Sequence, residues 1–227
     1  MFIPLHDDTP LKVIRFQYVT VAIMALNIGV FLFTGAFSSD VVQGTLATGL
    51  GVIPTELFHG GGGQNLVPEP FTLITYLFMH AGWMHLIGNL LFLWVFADNV
   101  EDAYGYLGFI IFYLLSGAAG ALTHAYMQPS SLSPLIGASG AVSGVLAAYL
   151  VLYPKARVWI LLFMRIPVPV PAFWVLGGWF LIQVYSLAAA QPGEDVAWWA
   201  HIGGFAVGII LTIALRNRLF ILPNRRN

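Results

Sequence analysis

Apolar residues fall along this chain in long blocks rather than in alternation. Runs at 16–37, 71–96, 107–126, 139–153, 172–190 and 198–215 are dominated by Leu, Ile, Val, Phe, Ala and Gly, and charged, proline-rich or glycine-rich sequence separates them. A helix needs about 20 apolar residues to cross a ~30 Å hydrocarbon core. The pattern therefore predicts an all-α polytopic membrane protein, a six-helix transmembrane bundle forming a single domain over 1–227. The run at 139–153 is short, 15 residues, with Pro154, Lys155 and Arg157 directly after it. At ~1.5 Å per residue it covers roughly 22 Å. If the basic residues anchor it at one face, this fourth helix starts inside the membrane. Ser139 then lies at a sunken N-terminus, where free backbone N–H groups and the helix dipole favour an anion.

Composition agrees with the pattern. Hydrophobic residues make up 59% of the chain and charged residues only 8%, against ~25% charged in soluble domains. With no cysteine, disulfides, thiolate nucleophiles and Cys-based metal sites are excluded. A net charge of −1 argues against nucleic acid as a partner. The first run has a basic flank like a signal peptide, but no soluble block follows it, so it is expected to be a span. The connection over 38–70, with Pro54, Pro68, Pro70 and glycines at 60–63, keeps enough apolar residues to lie at the interface. Acidic Asp98, Glu101 and Asp102 are expected to form a turn between the second and third spans. The 167–171 stretch, proline at every second position, cannot be helix interior. With six spans, all nine Lys and Arg fall on the N-terminal side, which puts both termini in the cytoplasm.

Polar groups inside spans are expensive and therefore functional suspects. His201 lies 15 residues before Arg216, and Ser139 lies 16 before Lys155. On two helices running the same way, both sit ~22–24 Å above their basic anchors. A nucleophile and its general base need this common depth. Gly140-x-x-x-Gly144 and Gly204-x-x-x-Gly208 give the two helices small faces for close approach. His85 and Asn89, at i and i+4, share a face of the second span. They are either an interhelical hydrogen-bonding pair or, with the Ser139 amide, an oxyanion hole. Gly137 would let a scissile peptide pass close to the backbone. Ser143 is expected to back-bond to a carbonyl. His59 and His124 are expected in loops or at the interface, and His80 near the outer surface as support. A zinc site is disfavoured, since no His-Glu-x-x-His and no mid-span carboxylate exists.

Taken together, His85-x-x-x-Asn89, Glu101-x-x-x-Gly105, Gly137-x-Ser139-Gly140 and Ala200-His201-x-x-Gly204-x-x-x-Gly208 resemble, in order and span by span, the rhomboid family of intramembrane serine proteases. The likeness runs over about 14–215, in the compact six-span bacterial form. It implies a Ser139/His201 dyad without a third acid, and an oxyanion hole from His85, Asn89 and the Ser139 amide. It also implies a cavity open to the outer side, no cofactor and no metal. The substrates implied are single-span membrane proteins, cut within the lipid bilayer of a bacterial inner membrane. Phe173, Trp174 and Trp179 resemble the family's mobile gate, 38–70 its embedded first loop, and Glu101 a helix-junction residue. Ser143 stands where some members carry a tyrosine packed on the base histidine; Trp198 and Trp199 are candidates for aromatic cover instead. The competing readings are a catalytically silent relative that binds membrane proteins and, further off, a small-solute transporter.

Overall fold

A computed structural model describes residues 3–60, 65–162, 165–190 and 196–219. The connection at 191–195, the glycines at 61–63, and Arg225 and Arg226 among the nine basic residues lie outside them. In chain order the elements are strand β1 (Ile3–Asp7), helix α1 (Tyr18–Phe31) with a π-helical extension Leu32–Ala36, and the short helices α2 (Asp40–Leu50), α3 (Pro54–His59) and α4 (Glu69–Thr75). Helices α5 (Trp83–Met127) and α6 (Ser139–Leu152) follow, then strands β2 (Arg157–Leu162) and β3 (Ile166–Pro171), and helices α7 (Ala172–Ala189) and α8 (Trp198–Leu215). Helix α6 is the axis. Every residue from Gly140 to Tyr149 is buried, and α5 and α8 make its main contacts. A helix apolar all round is stable only when enclosed in this way. The protein is an all-α polytopic membrane bundle with one small sheet.

The second apolar run is not one helix. Expected over 71–96, it breaks after α4 and a 3-10 turn, Tyr76–Phe78, and resumes only at Trp83. A tertiary partner takes over one freed backbone group, the Tyr76 carbonyl, which accepts from Gly137 N at 2.9 Å, and the Thr75 side chain ties the break to α2 by donating to Leu50 O at 2.6 Å. The acidic cluster is no turn either. Asp98, Glu101 and Asp102 are helical, and the chain reverses at a single residue, Gly105 (φ 69°, ψ 166°). That left-handed backbone favours glycine, so 83–104 and 106–127 are two helices meeting at a kink. Long apolar helices are Tyr18–Ala36, the kinked Trp83–Met127, Ala172–Ala189 and Trp198–Arg218, with α6 the shorter apolar one.

The two buried carboxylates explain the missing turn. Asp102 accepts from three successive amides, Lys12 N, Val13 N and Ile14 N, at 2.7–2.8 Å. Glu101, fully buried, accepts from Val19 N, Thr20 N and the Thr20 hydroxyl at 2.7–3.0 Å. Glu101 thus caps the free first turn of α1, where a negative charge also meets the positive end of the dipole. The residues ahead of α1 and its first turn are pinned along α5 by these bonds. Strand β1 pairs antiparallel with β2, which pairs antiparallel with β3. Pro167, Pro169 and Pro171 share the parity whose N–H would face away from β2, so this edge strand loses no ladder bond. The following amide of that inward parity, Ala172 N, donates to Ala156 O at 2.8 Å.

The connection over 38–70 folds as α2 and α3 and is tied to the chain ahead of α6. Val52 and Leu135 exchange both backbone bonds at 2.8–3.0 Å, and Thr55 bonds Ser131 O through amide and hydroxyl. His124 and His59, expected in loops or at the interface, both lie in last helical turns: His124 is buried at the end of α5, and His59 ends α3 exposed.

Candidate active site

The glycine faces of α6 and α8 meet backbone to backbone. A Cβ on Gly204 would fall on the carbonyl oxygen of Gly140, and one on Gly208 would lie 2.5 Å from Gly144 O. A third wall comes from α5, where a Cβ on Gly120 would approach Ala200 O at 2.7 Å and Gly140 Cα at 3.3 Å. Only a seam without side chains lets two helices approach so far. The seam fixes the first residue of α6 against the first turn of α8.

At its head stand Ser139 and His201. Ser139 Oγ lies 2.9 Å from His201 Nε2, and His201 Nδ1 lies 2.8 Å from Gln183 Oε1 on α7. The proton positions follow from valence. A glutamine carbonyl only accepts, and the Gln183 amide nitrogen is occupied in donating to Trp179 O at 3.3 Å. Nδ1–H of His201 therefore donates to Gln183, leaving the Nε2 lone pair to accept from the Ser139 hydroxyl. This is the tautomer a base needs to take a proton from serine.

Aromatic rings enclose the imidazole. Trp198 lies edge-on to it at 5.9 Å between centroids, and Trp179 lies tilted at 6.2 Å. Ser143, where a family tyrosine would stand, instead donates to Ser139 O at 2.6 Å. Of the three residues marked as gate, Trp179 stands at the histidine, packed also on Phe92 and Phe205. Phe173 and Trp174 are exposed in the opposite first turn of α7, ten residues or ~15 Å from Gln183. Trp199 is not among the rings on His201.

His85 reaches the same corner. Ala81 N donates to its Nδ1 at 3.4 Å, so Nε2 carries the proton, and a Cβ on Gly137 would lie 2.5 Å from that nitrogen. Gly137 is also left-handed at φ 119°, so both space and backbone demand glycine there. Asn89, buried, spends one amide N–H on His85 O at 2.9 Å within its own helix. Among the described residues no side chain caps α6. An imidazole N–H and an uncapped helix start thus lie beside the serine, which suits acyl transfer through an oxyanion. His80, expected near the outer surface as support, is buried and packs edge-on against His85 at 5.0 Å.

Gln183 was not foreseen, although the rule applied to serine, histidine and asparagine covers it: an amide in a span is costly and wants a reason. Its polar neighbour at helical spacing is Ser186, three residues on, and a Gln-x-x-Ser pair matches no catalytic pattern, so spacing offered no signal.

Fold and site together define a polytopic membrane protein with a serine–histidine pair at a glycine seam. The Rhomboid domain family model matches residues 68–218, two thirds of the chain, and the chain belongs to the rhomboid family. It is 27% identical to mitochondrial RHOMBOID-like protein 12 of Arabidopsis thaliana over 89% of this chain and 60% of that one. Rhomboid protease AarA of Providencia stuartii is 27% identical over 86% of this chain and 71% of its own. Rhomboid-like protease 3 of Toxoplasma gondii is 29% identical over 66% and 54%. The chain spans about half the length of most curated relatives it matches.

Proposed function

We propose that this protein is an intramembrane serine endopeptidase working with a Ser139/His201 dyad. The observation that carries the reading is the 2.9 Å contact of Ser139 Oγ with an imidazole nitrogen that is free to accept. His201 takes the serine proton as Oγ attacks the scissile carbonyl, then gives it to the leaving amine; water repeats the cycle on the acyl-enzyme. His85 Nε2–H, the Ser139 amide and the remaining N–H of Asn89 are the donors to the developing oxyanion. The substrate class is single-span membrane proteins. A transmembrane helix hides its peptide bonds in its own hydrogen bonds, so a local helix-breaking sequence favours cleavage. The relatives named as proteases support this reading. The Ser–His pair argues against a silent relative that only binds.

The bundle crosses the membrane six times in this reading, with α5 crossing twice about Gly105. Both termini lie in the cytoplasm, as the one-sided Lys and Arg indicate. A bacterial inner membrane suits the relative from Providencia stuartii, while other relatives carry mitochondrial and chloroplastic names.

The test pairs a fluorophosphonate probe with cleavage of a model single-span substrate in liposomes. Wild type is expected to label and cut, while Ser139→Ala and His201→Ala do neither. Folded wild type that neither labels nor cuts any substrate in a panel overturns the protease reading and leaves a binding scaffold.

A further inference from the structure

Helix α7 lies at the rim of the bundle, and its buried residues are Ala172, Val175, Leu176 and Gln183. The first three are apolar and near the anchored end, where Ala172 N and Phe173 N are held by Ala156 O and Pro154 O. Beyond Leu176, Gln183 alone is buried, 6% exposed, among neighbours Leu181, Ile182, Val184 and Tyr185 that are 41–73% exposed. A helix that needed only packing would place a leucine or methionine there. A buried primary amide costs free energy unless both its ends are bonded. Here both are, the N–H₂ to Trp179 O and the carbonyl to His201.

We infer that Gln183 is a positioning residue, whose side-chain carbonyl holds His201 in the Nδ1–H tautomer and turns Nε2 toward Ser139. This inference rests on the dyad proposed above. A serine–histidine pair without a third acid still needs something to choose between two tautomers, because the Nε2–H form donates where it must accept. The base is then oriented by a neutral amide on a different helix from either dyad member. A neutral acceptor suits an apolar setting, where an isolated carboxylate would be far more costly to bury.

The test compares wild type, Gln183→Met and Gln183→Glu in liposomes. Methionine keeps the length and volume and puts a weakly accepting thioether in place of the carbonyl; glutamate keeps an acceptor oxygen in either charge state. Loss of one neutral hydrogen bond predicts a kcat roughly tenfold lower for Gln183→Met with KM within about twofold, and Gln183→Glu recovers most of that loss. Imidazole ¹⁵N spectra, with His201→Ala identifying the signals, should show the Nδ1–H form in wild type and Gln183→Glu but mixed tautomers in Gln183→Met. Equal kcat for wild type and Gln183→Met overturns the inference, as does an unchanged tautomer. So does a kcat lost equally in both variants alongside thermal stability, which would mean packing alone. Wild type that never cleaves sinks the dyad reading instead, and the tautomer spectra still decide what Gln183 does to the ring.

Discussion

Replacing Gly208 with alanine puts a methyl group into the α6/α8 seam, where nothing can rotate aside. The new Cβ would lie 2.5 Å from Gly144 O and 2.7 Å from Gly144 Cα, both main-chain atoms, and 3.0 Å from Ala147 Cβ. Ordinary contact begins at 3.4 Å, so the helices must part by about 0.9 Å. His201 lies seven residues up α8, ~10 Å away, on the same rigid rod. If α8 moves as a body, the 2.9 Å contact between Nε2 and Oγ opens toward 3.8 Å, beyond hydrogen-bond range. Misplacement of this size costs on the order of 10²-fold in rate. Overpacking costs about 1–3 kcal/mol, offset in part by the ~0.4–1 kcal/mol that alanine gains over glycine through the unfolded chain. Gly29→Ala on α1 is the control, since a Cβ there meets nothing within 4 Å. Cleavage kinetics in liposomes and melting temperature in detergent read both effects. Gly208→Ala with the kinetics of wild type and the melting temperature of Gly29→Ala would refute the argument that backbone contact holds the dyad together.

Gly137→Ala meets both a left-handed backbone and the His85 ring, so cleavage should fall at least as far as in Gly208→Ala; a wild-type rate would detach His85 from the site. Glu101→Ala strips three bonds from the start of α1 and should lower stability by roughly 3 kcal/mol, read by chemical denaturation in detergent. Asp7 accepts from the Tyr149 hydroxyl at the foot of α6, and burial pushes its carboxyl above the ordinary value of 3.8. The native state therefore holds this proton more tightly than the unfolded chain does. Its contribution to stability is full below pH 3.8 and is lost as pH rises through the raised value. Asp7→Asn should flatten that decline and melt higher than wild type at neutral pH; parallel melting curves against pH would contradict the assignment.

The bundle was legible because its signal is local: runs of apolar residues mark helices wherever they sit. Ser139 and His201 could be paired from sequence because both are measured from basic anchors on their own helices. The kink at Gly105 was hidden, since acids between apolar runs ordinarily mark a turn. Here the partners of Glu101 and Asp102 are backbone amides more than 80 residues away, which no local pattern records. The break at 76–82 was hidden for the same reason, the Tyr76 carbonyl being claimed by Gly137 in the loop before α6. The alternating prolines of β3 excluded helix correctly but spelled an edge strand only once β2 supplied the inner partner. Gln183 failed to stand out because its partner lies on another helix.

The sheet also sets an order of events during synthesis. Ile3 pairs with Leu161, so β1 stays unpaired until about 160 further residues have followed it. Contacts of such sequence separation close late. Asp102 can gather the amides of 12–14 once α5 has formed, but β1 must wait for the hairpin of β2 and β3. Until then the foot of α6 also lacks the Asp7 bond to Tyr149. The bundle is thus sealed at its base by the strand that precedes α1, and a half-made chain would carry Ser139 on a helix held at its start by the backbone bonds of Val52 and Tyr76 but not yet fixed at its foot.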